Sequence, residues 1–499
     1  MTRFSRLLLF IAGLLACSGP VWSQTLNPNL PTWWQKYQRL LASGAGSAEG
    51  TSSSVTIGSN VDVSNECGPQ SETFITLNHA NPQTLAAGSN EIFRNPMRGY
   101  FSSDGGSNWG SVDLPLPPLS GKNDTRFGSD PTLAFDTQGN VFYGYIVVFF
   151  GGGKGINGTE LAVARSSDGG QTYPQVSFFS FQSGQDHFND KPMITADDNA
   201  DSPSRDNVYI AWDAASGGSS AGGIRVARST DHGVSFTSTR VDNPGGPGRG
   251  IGAVPFVGPN GEVYVAWNDF SEGNAIAFNR SLDGGVTWGQ QGVVATKTVP
   301  FQILLPAESF RGALIYPACD ADRSNGPHRG RLYCSWLDQN SGGFGDIFLS
   351  FSDNQGSTWS APQAVPDPLP VDRFNHWLSV DPITGDVNLS FYDTRNDTTG
   401  QRFQTDVYFT QSKDGSVTFL SPNVRVTTAS SNEHDCNGVF PCPAIDLGNQ
   451  QGDYEGLVSF NGVSHPIWTD SRRQLQASSG CSTNLLMEEV FSATVKARK

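Results

Sequence analysis

Tyr454 stands between Asp453 and Glu455, a phenol flanked by two carboxylates, and this triplet is a candidate nucleophile with its base. A tyrosine can attack a sugar carbon when a neighbouring carboxylate draws off its proton. Asp130 and Asp190 are the complementary candidates, acids able to protonate a leaving group. Arg249, Arg311 and Arg373 fall on successive repeats, and planar guanidinium forks grip a carboxylate through paired hydrogen bonds. With His376, Arg395 and Asp453 they form a candidate binding set for an anionic ligand. The competing reading is that charged residues at strand ends pair with one another and stiffen the framework.

Metal chemistry has weaker support. His376 and His465 stand without a second histidine at ligand spacing and read as structural, hydrogen-bonded rings. Asp197-Asp198-Asn199-Ala200-Asp201 and Asp320-Ala321-Asp322 offer hard oxygens to a structural Ca²⁺, but neither fits an EF-hand loop. No catalytic cofactor is expected.

The elements that must carry these residues are short strands. Glycine (57), proline (30) and an aromatic content of 11%, against 16% charged residues, suit turns and hairpins better than solvated helices. The unit Ser-x-Asp-x-Gly-x-x-aromatic recurs with its third residue at Asp104, Asp168, Asp231, Asp283, Asn354 and Asp414. The interval of roughly 60 residues is that of propeller blades. Its chemistry is that of a hairpin turn: the carboxylate accepts from turn N–H groups and the serine hydroxyl, and glycine supplies backbone freedom. These aspartates therefore read as structural.

Before each unit runs an aromatic strand, as in Val208-Tyr-Ile-Ala-Trp212 and Val263-Tyr-Val-Ala-Trp267. Counting the hairpins gives seven, beginning near Glu72, Asp130, Asp190, Gly250, Gly312, Asn375 and Tyr454. The expectation is an all-β propeller of seven four-stranded antiparallel blades, with six as the alternative. The last blade lacks an outer strand, and Val55–Val63 at the amino end is expected to supply it, closing the ring. Inner strands then begin, and second strands end, on the face opposite the Ser-x-Asp turns. The candidate residues gather there, with Asp213, Asp269, Asp338, Asp393 and Asp470 at second-strand ends.

Residues 1–23 have the layout of a secretory signal: Arg3 and Arg6, an apolar run from Leu7 to Ala16, then small residues. Leu14-Leu15-Ala16-Cys17 also matches a lipobox, the alternative in which Cys17 is lipidated. Residues 24–54 read as a linker with one short helix around Trp33–Leu41, and residues 55–499 as the propeller. No later run is long enough to span a bilayer. Cys67, Cys319, Cys334, Cys436, Cys442 and Cys481 suit disulfides in an exported chain. One plausible set pairs Cys67 with Cys481, Cys319 with Cys334 and Cys436 with Cys442. A net charge of -15 argues against nucleic acid as a partner. A monomer is expected.

The Ser-x-Asp units and aromatic strands resemble those of the sialidase-like (neuraminidase) superfamily of Asp-box, or BNR-repeat, propellers, over roughly residues 55–499. That resemblance implies a secreted propeller engaged with glycans, either as a glycoside hydrolase on an anionic glycan or as a non-catalytic glycan- or protein-binding module. For true sialidases it implies six blades, an arginine trio, an aspartate acid/base and a tyrosine nucleophile assisted by glutamate. The first arginine would sit in Phe/Tyr-Arg-Ile-Pro, and the similar string here, Phe93-Arg94-Asn95-Pro96, has Asn at the third place.

Overall fold

A computed structural model of the chain describes residues 55–66, 69–92, 94–151, 155–184, 188–215, 223–243, 250–270, 273–309, 311–434, 451–472 and 488–497. The amino-terminal signal and linker, Arg249, Cys67, Cys436, Cys442 and Cys481 lie outside these residues.

Each aromatic strand is the second strand of an antiparallel blade, and the described residues form seven four-stranded blades, one of which carries a short fifth strand and one, where the chain ends meet, two further strands. Their inner strands are Gln70–Asn78, Thr125–Phe135, Phe188–Ala196, Gly250–Val257, Pro317–Ala321, Arg373–Val380 and Gly456–Phe460, here blades 1 to 7. Successive inner strands pack side by side, and that of blade 7 returns to that of blade 1. A lone four-stranded sheet leaves one apolar face wet, so the blades cover one another. Trp212, Trp267, Trp336 and Trp468, on the second strands of blades 3, 4, 5 and 7, are at most 1% exposed. Losing one such wedge is expected to cost about 3–5 kcal/mol. A tyrosine stands three residues before three of them, and that of blade 3, Tyr209, ties two blades: its hydroxyl donates to the Gly284 carbonyl of blade 4 at 3.1 Å.

The Ser-x-Asp turns have the predicted bonding. In the second, the Ser166 hydroxyl donates to Asp168 Oδ1 at 2.6 Å, while the N–H groups of Gln171 and Thr172 donate to the same oxygen at 3.0 and 2.9 Å. Asp104, Asp231, Asp283 and Asp414, and Asn354 in the variant turn, repeat it with Ser102, Ser229, Ser281, Ser412 and Ser352.

Ring closure uses both chain ends. Val61–Asp62 pairs with Glu489–Ser492 as the outer strand of blade 7, and Val55–Ile57 pairs with Val495–Ala497, which in turn pairs with Val463–Ser464. The amino-terminal segment expected as one strand thus splits in two around Gly58. Cys319 and Cys334 face each other on the inner and second strands of blade 5 and are disulfide-bonded. Blade 5 also departs from expectation at its start. A small ribbon, Gln302–Ile303 with Ala313–Leu314, is inserted ahead of it, so the inner strand begins at Pro317 and Arg311 belongs to the ribbon's connection.

The inner strands surround a cavity of about 140 Å³ on the propeller axis. At the end nearer the Ser-x-Asp turns, Asp198 of blade 3 joins His79 of blade 1, at 2.6 Å, and Arg323 of blade 5.

Candidate functional site

The site is built by a repeated irregularity. In blades 1, 2, 3, 4 and 6 the inner strand slips register with its partner between Ser71 and Phe74, Ser129 and Thr132, Asp190 and Met193, Ile251 and Val254, and Phe374 and Trp377. Such bulges bend a strand and re-aim one side chain. The re-aimed residues are Glu72, Asp130, Lys191, Gly252 and Asn375, all with left-handed backbones (φ 51°, 61°, 49°, 69° and 42°). A left-handed non-glycine residue costs roughly 1–3 kcal/mol and marks places where the surroundings hold strain. Counting from the residue before each second-strand tryptophan, the same station in blades 5 and 7 is Tyr316 and Tyr454. One residue per blade therefore forms a ring around the axis, on the face opposite the Ser-x-Asp turns. Gly252 leaves its place to a neighbour's ring, since a Cβ there would lie 2.2 Å from Cδ1 of Tyr316.

Ring members bond across blades. Asn90 donates to Glu72 Oε2 at 2.7 Å and accepts from the Asp130 N–H at 2.7 Å. The Lys191 N–H is offered to both Asp130 Oδ2, at 3.1 Å, and Asp190 Oδ1, at 3.0 Å. Arg311 reaches over from the ribbon. Its Nε and Nη2 donate to the two oxygens of Asp453 at 2.5 and 2.7 Å, and Nη2 also reaches Glu72 Oε1 at 3.2 Å. The Tyr316 hydroxyl donates to Asp453 Oδ2 at 3.2 Å, and that of Tyr454 to the Pro131 carbonyl at 3.0 Å. Lys191 Nζ lies over the rings of Tyr454 and Tyr316.

Four carboxylates and two cations thus share one small volume. Burial, then the charges of Asp130 and Asp453, push the Asp190 carboxyl up to about 8. Burial, then Asp453 and Asp130, raises Glu72 well above the carboxylate range. Burial brings Lys191 down to about 7 against the pull of the surrounding acids. The Tyr454 phenol is raised by burial and by Glu72. Asp190 keeps a partly exposed edge, whereas Glu72, Lys191 and Tyr454 are each 2% exposed. At neutral pH the arrangement holds a protonated carboxyl beside other carboxylates, the pairing that separates an acid from a base.

Of the residues singled out in the sequence, Asp130, Asp190, Arg311, Asp453 and Tyr454 meet in this ring. Glu455 does not face it. It accepts from Thr73 Oγ1 at 2.7 Å and from the Thr469 N–H at 3.1 Å, and it also bonds the Tyr392 hydroxyl, between blades 6, 7 and 1. Arg373 is fully buried among Asp346, Asp393 and the Asp367 carbonyl, at 3.1, 3.0 and 2.6 Å. Arg395 binds Asp367 and Asp393 at 2.8 and 2.7 Å, so the two arginines knit blades 5 and 6 together. His376 is buried, and burial lowers its ring to about 4, which keeps it neutral. Arg94 pairs with Glu66 and Asp113 ahead of the third strand of blade 1, Arg98–Ser102. Of the three arginines proposed as a trio, the described part of the ring contains Arg311, already held by Asp453.

Glu72 and Tyr316 are ring members that the sequence does not single out as site residues, while Lys191 and Asn375 stand in it at inner-strand starts beside Asp190 and Arg373 without an assigned role. A signal was present: Asp130-Pro131, Lys191-Pro192 and Tyr316-Pro317 repeat one residue-proline pair, at the bulges of the inner strands of blades 2 and 3 and at the start of that of blade 5. Proline cannot donate to the sheet ladder and so suits a bulge. Four of the five acids considered for calcium are bonded within the protein: Asp198 by His79 and Arg323, Asp197 by Ser202, Asp320 by the N–H groups of Val380 and Ala321, and Asp322 by that of Ser324. Among the described residues no group of three or more His, Cys, Asp or Glu side chains is arranged to hold a metal ion, and no helix is long and apolar enough to cross a membrane.

No family model and no curated protein matches the chain. Among solved structures it is similar to a leech intramolecular trans-sialidase, at 14% identity over 71% of this chain and 69% of that one, with a TM-score of 0.46. It is similar to the phage phi92 endosialidase at 9% identity over 89% and 69%, TM-score 0.47. It is also similar to a Penicillium chrysogenum α-L-arabinanase at 11% identity over 74% and 93%, TM-score 0.40. The chain itself is a seven-bladed β-propeller, closed by its amino-terminal strand and carrying a ring of charged and tyrosine side chains at one end of its axis.

Proposed function

We propose that the axial ring is a glycan site that cleaves a glycosidic bond by acid–base chemistry between carboxyl groups. Asp190 is the proton donor to the departing sugar oxygen, and its partly exposed edge is where that oxygen would arrive. Asp130 stands beside it as the candidate base that activates water or steadies positive charge on the sugar. The observation that carries this reading is the pair Asp130 and Asp190 on one N–H, with Asp190 held protonated at neutral pH. Tyr454 serves as a wall: its hydroxyl is spent on Pro131, and burial disfavours the phenolate a nucleophile needs. The chain is taken to be exported by residues 1–23 and to act as a monomer on glycans, not on nucleic acid.

The test is turnover of a panel of aryl glycosides by the wild-type chain and by Asp190→Asn. Turnover that Asp190→Asn abolishes without loss of fold supports the assignment; turnover that survives removes Asp190 as the acid. The second reading is a propeller that binds glycans without cleaving them, favoured by the near-complete burial of Glu72, Lys191 and Tyr454. It predicts binding of intact glycan with no product.

A further inference from the structure

The identity of the sugar can be narrowed from what the ring leaves unsatisfied. Arg311 is held by both oxygens of Asp453 and by Glu72, so its fork is occupied. Lys191 differs. It is 2% exposed, its Nζ lies among Glu72, Asp130, Asp190 and Asp453, and among the described residues it donates to no oxygen. Across the axis, Asn375 is 5% exposed, and its Nδ2 donates to the Gly452 carbonyl at 2.9 Å. That bond fixes the amide orientation and leaves Oδ1 as an acceptor with no donor among the described residues. Both residues occupy bulge stations, and the Tyr316 and Tyr454 rings flank the lysine.

A buried donor and a buried acceptor, each unsatisfied, are costly to keep unless a ligand completes them. An alcohol does both, accepting from an amine and donating to an amide oxygen. An acidic group can only accept, so it would leave Asn375 Oδ1 without a donor, and the Arg311 fork that could grip it is already taken by Asp453 and Glu72. Tyrosine rings, in turn, suit the C–H faces of a sugar. We propose that Lys191 and Asn375 are specificity-determining residues of the axial ring, which hold hydroxyl groups of an uncharged sugar and make the site prefer neutral over acidic glycans. This rests on the glycan reading above and replaces the anionic ligand expected from the arginines.

The experiment is calorimetric titration of the full chain with neutral pentose and hexose oligosaccharides and with uronate- and sialate-bearing ones. Wild-type protein, Lys191→Met and Asn375→Gly are compared, with thermal unfolding of each as a fold control. Glycine tolerates the left-handed backbone of Asn375, so that variant keeps the ring even if Lys191→Met does not. Neutral ligands are expected to bind at least about tenfold more tightly than acidic ones, and each variant to lose about tenfold in neutral-ligand affinity, the value of one hydrogen bond in a buried site. Acidic ligands binding as well as neutral ones would overturn the proposal. So would neutral binding unchanged in Asn375→Gly, which leaves the glycan reading itself standing. If the wild-type chain binds no ligand of either class, the glycan reading fails and this inference with it.

Discussion

Asp130 and Asp190, from adjacent blades, accept the same backbone N–H, that of Lys191, at 3.1 and 3.0 Å. Burial first, and then the repulsion of Asp130 and Asp453, keep on Asp190 a proton that an isolated aspartate would have released. Folded Asp190 holds its proton up to about pH 8, against an ordinary value of 3.8. A folded value raised in this way gives stability that is full below the unfolded value and is lost as pH rises through the folded one. Asp190→Asn removes that dependence. The variant is expected to match wild type in melting temperature near pH 4 and to exceed it by a few degrees at pH 8–9, in thermal scans across pH. A constant difference would show that the pair is not coupled as described.

Gly252→Ala tests the ring by sterics. The new methyl would lie 2.2 Å from Tyr316 Cδ1 on a backbone with φ of 69°. Strain plus overpacking is expected to cost about 2–4 kcal/mol. Displacing Tyr316 also breaks its bond to Asp453, so denaturant unfolding and ligand titration should both show a loss.

Asp231→Ala tests the opposite end. Asp231 accepts from the Ser235 N–H and hydroxyl at 2.9 and 2.6 Å and from Ser229 Oγ at 2.7 Å. The turn faces solvent, so the net loss is expected to be only about 1 kcal/mol. Activity at the axial ring should be unchanged, because this turn lies on the other face. Loss of turnover at unchanged stability would contradict a structural role.

Closure can be opened at Val63, which is 3% exposed and donates its N–H to the Val490 carbonyl at 2.7 Å. Deleting the chain through Val63 removes the outer strand of blade 7 and bares an edge. The expected outcome is a lower melting temperature together with self-association on a sizing column. A deleted chain that stays monomeric and melts as wild type would show that the seam does not need this strand.

The Cys319–Cys334 bridge closes a loop of 15 residues. For loops of this length the chain-entropy model gives about 3 kcal/mol, and the double serine variant should show a loss of that order by urea unfolding.

The Ser-x-Asp turns, the aromatic second strands, the blade number and the exchange of strands at the seam were all legible in the sequence. Each depends on residues close in the chain or on a periodic pattern, and a hairpin's alternation and turn chemistry are local properties. The ring was only half legible. Glu455 follows Tyr454 directly, yet the backbone leading into the strand turns it away from the axis toward Thr73 and Tyr392. Arg373 and Arg311 looked like equivalent members of one set. Tertiary packing buries the first between blades 5 and 6, while an inserted ribbon carries the second over the axis to Asp453 of blade 7. A bulge shifts a side chain by one place, and a charge chooses its partner by distance in space. Neither is written in the order of residues, so the chain dictated the propeller and its closure, and only the packed blades decided which charges would meet.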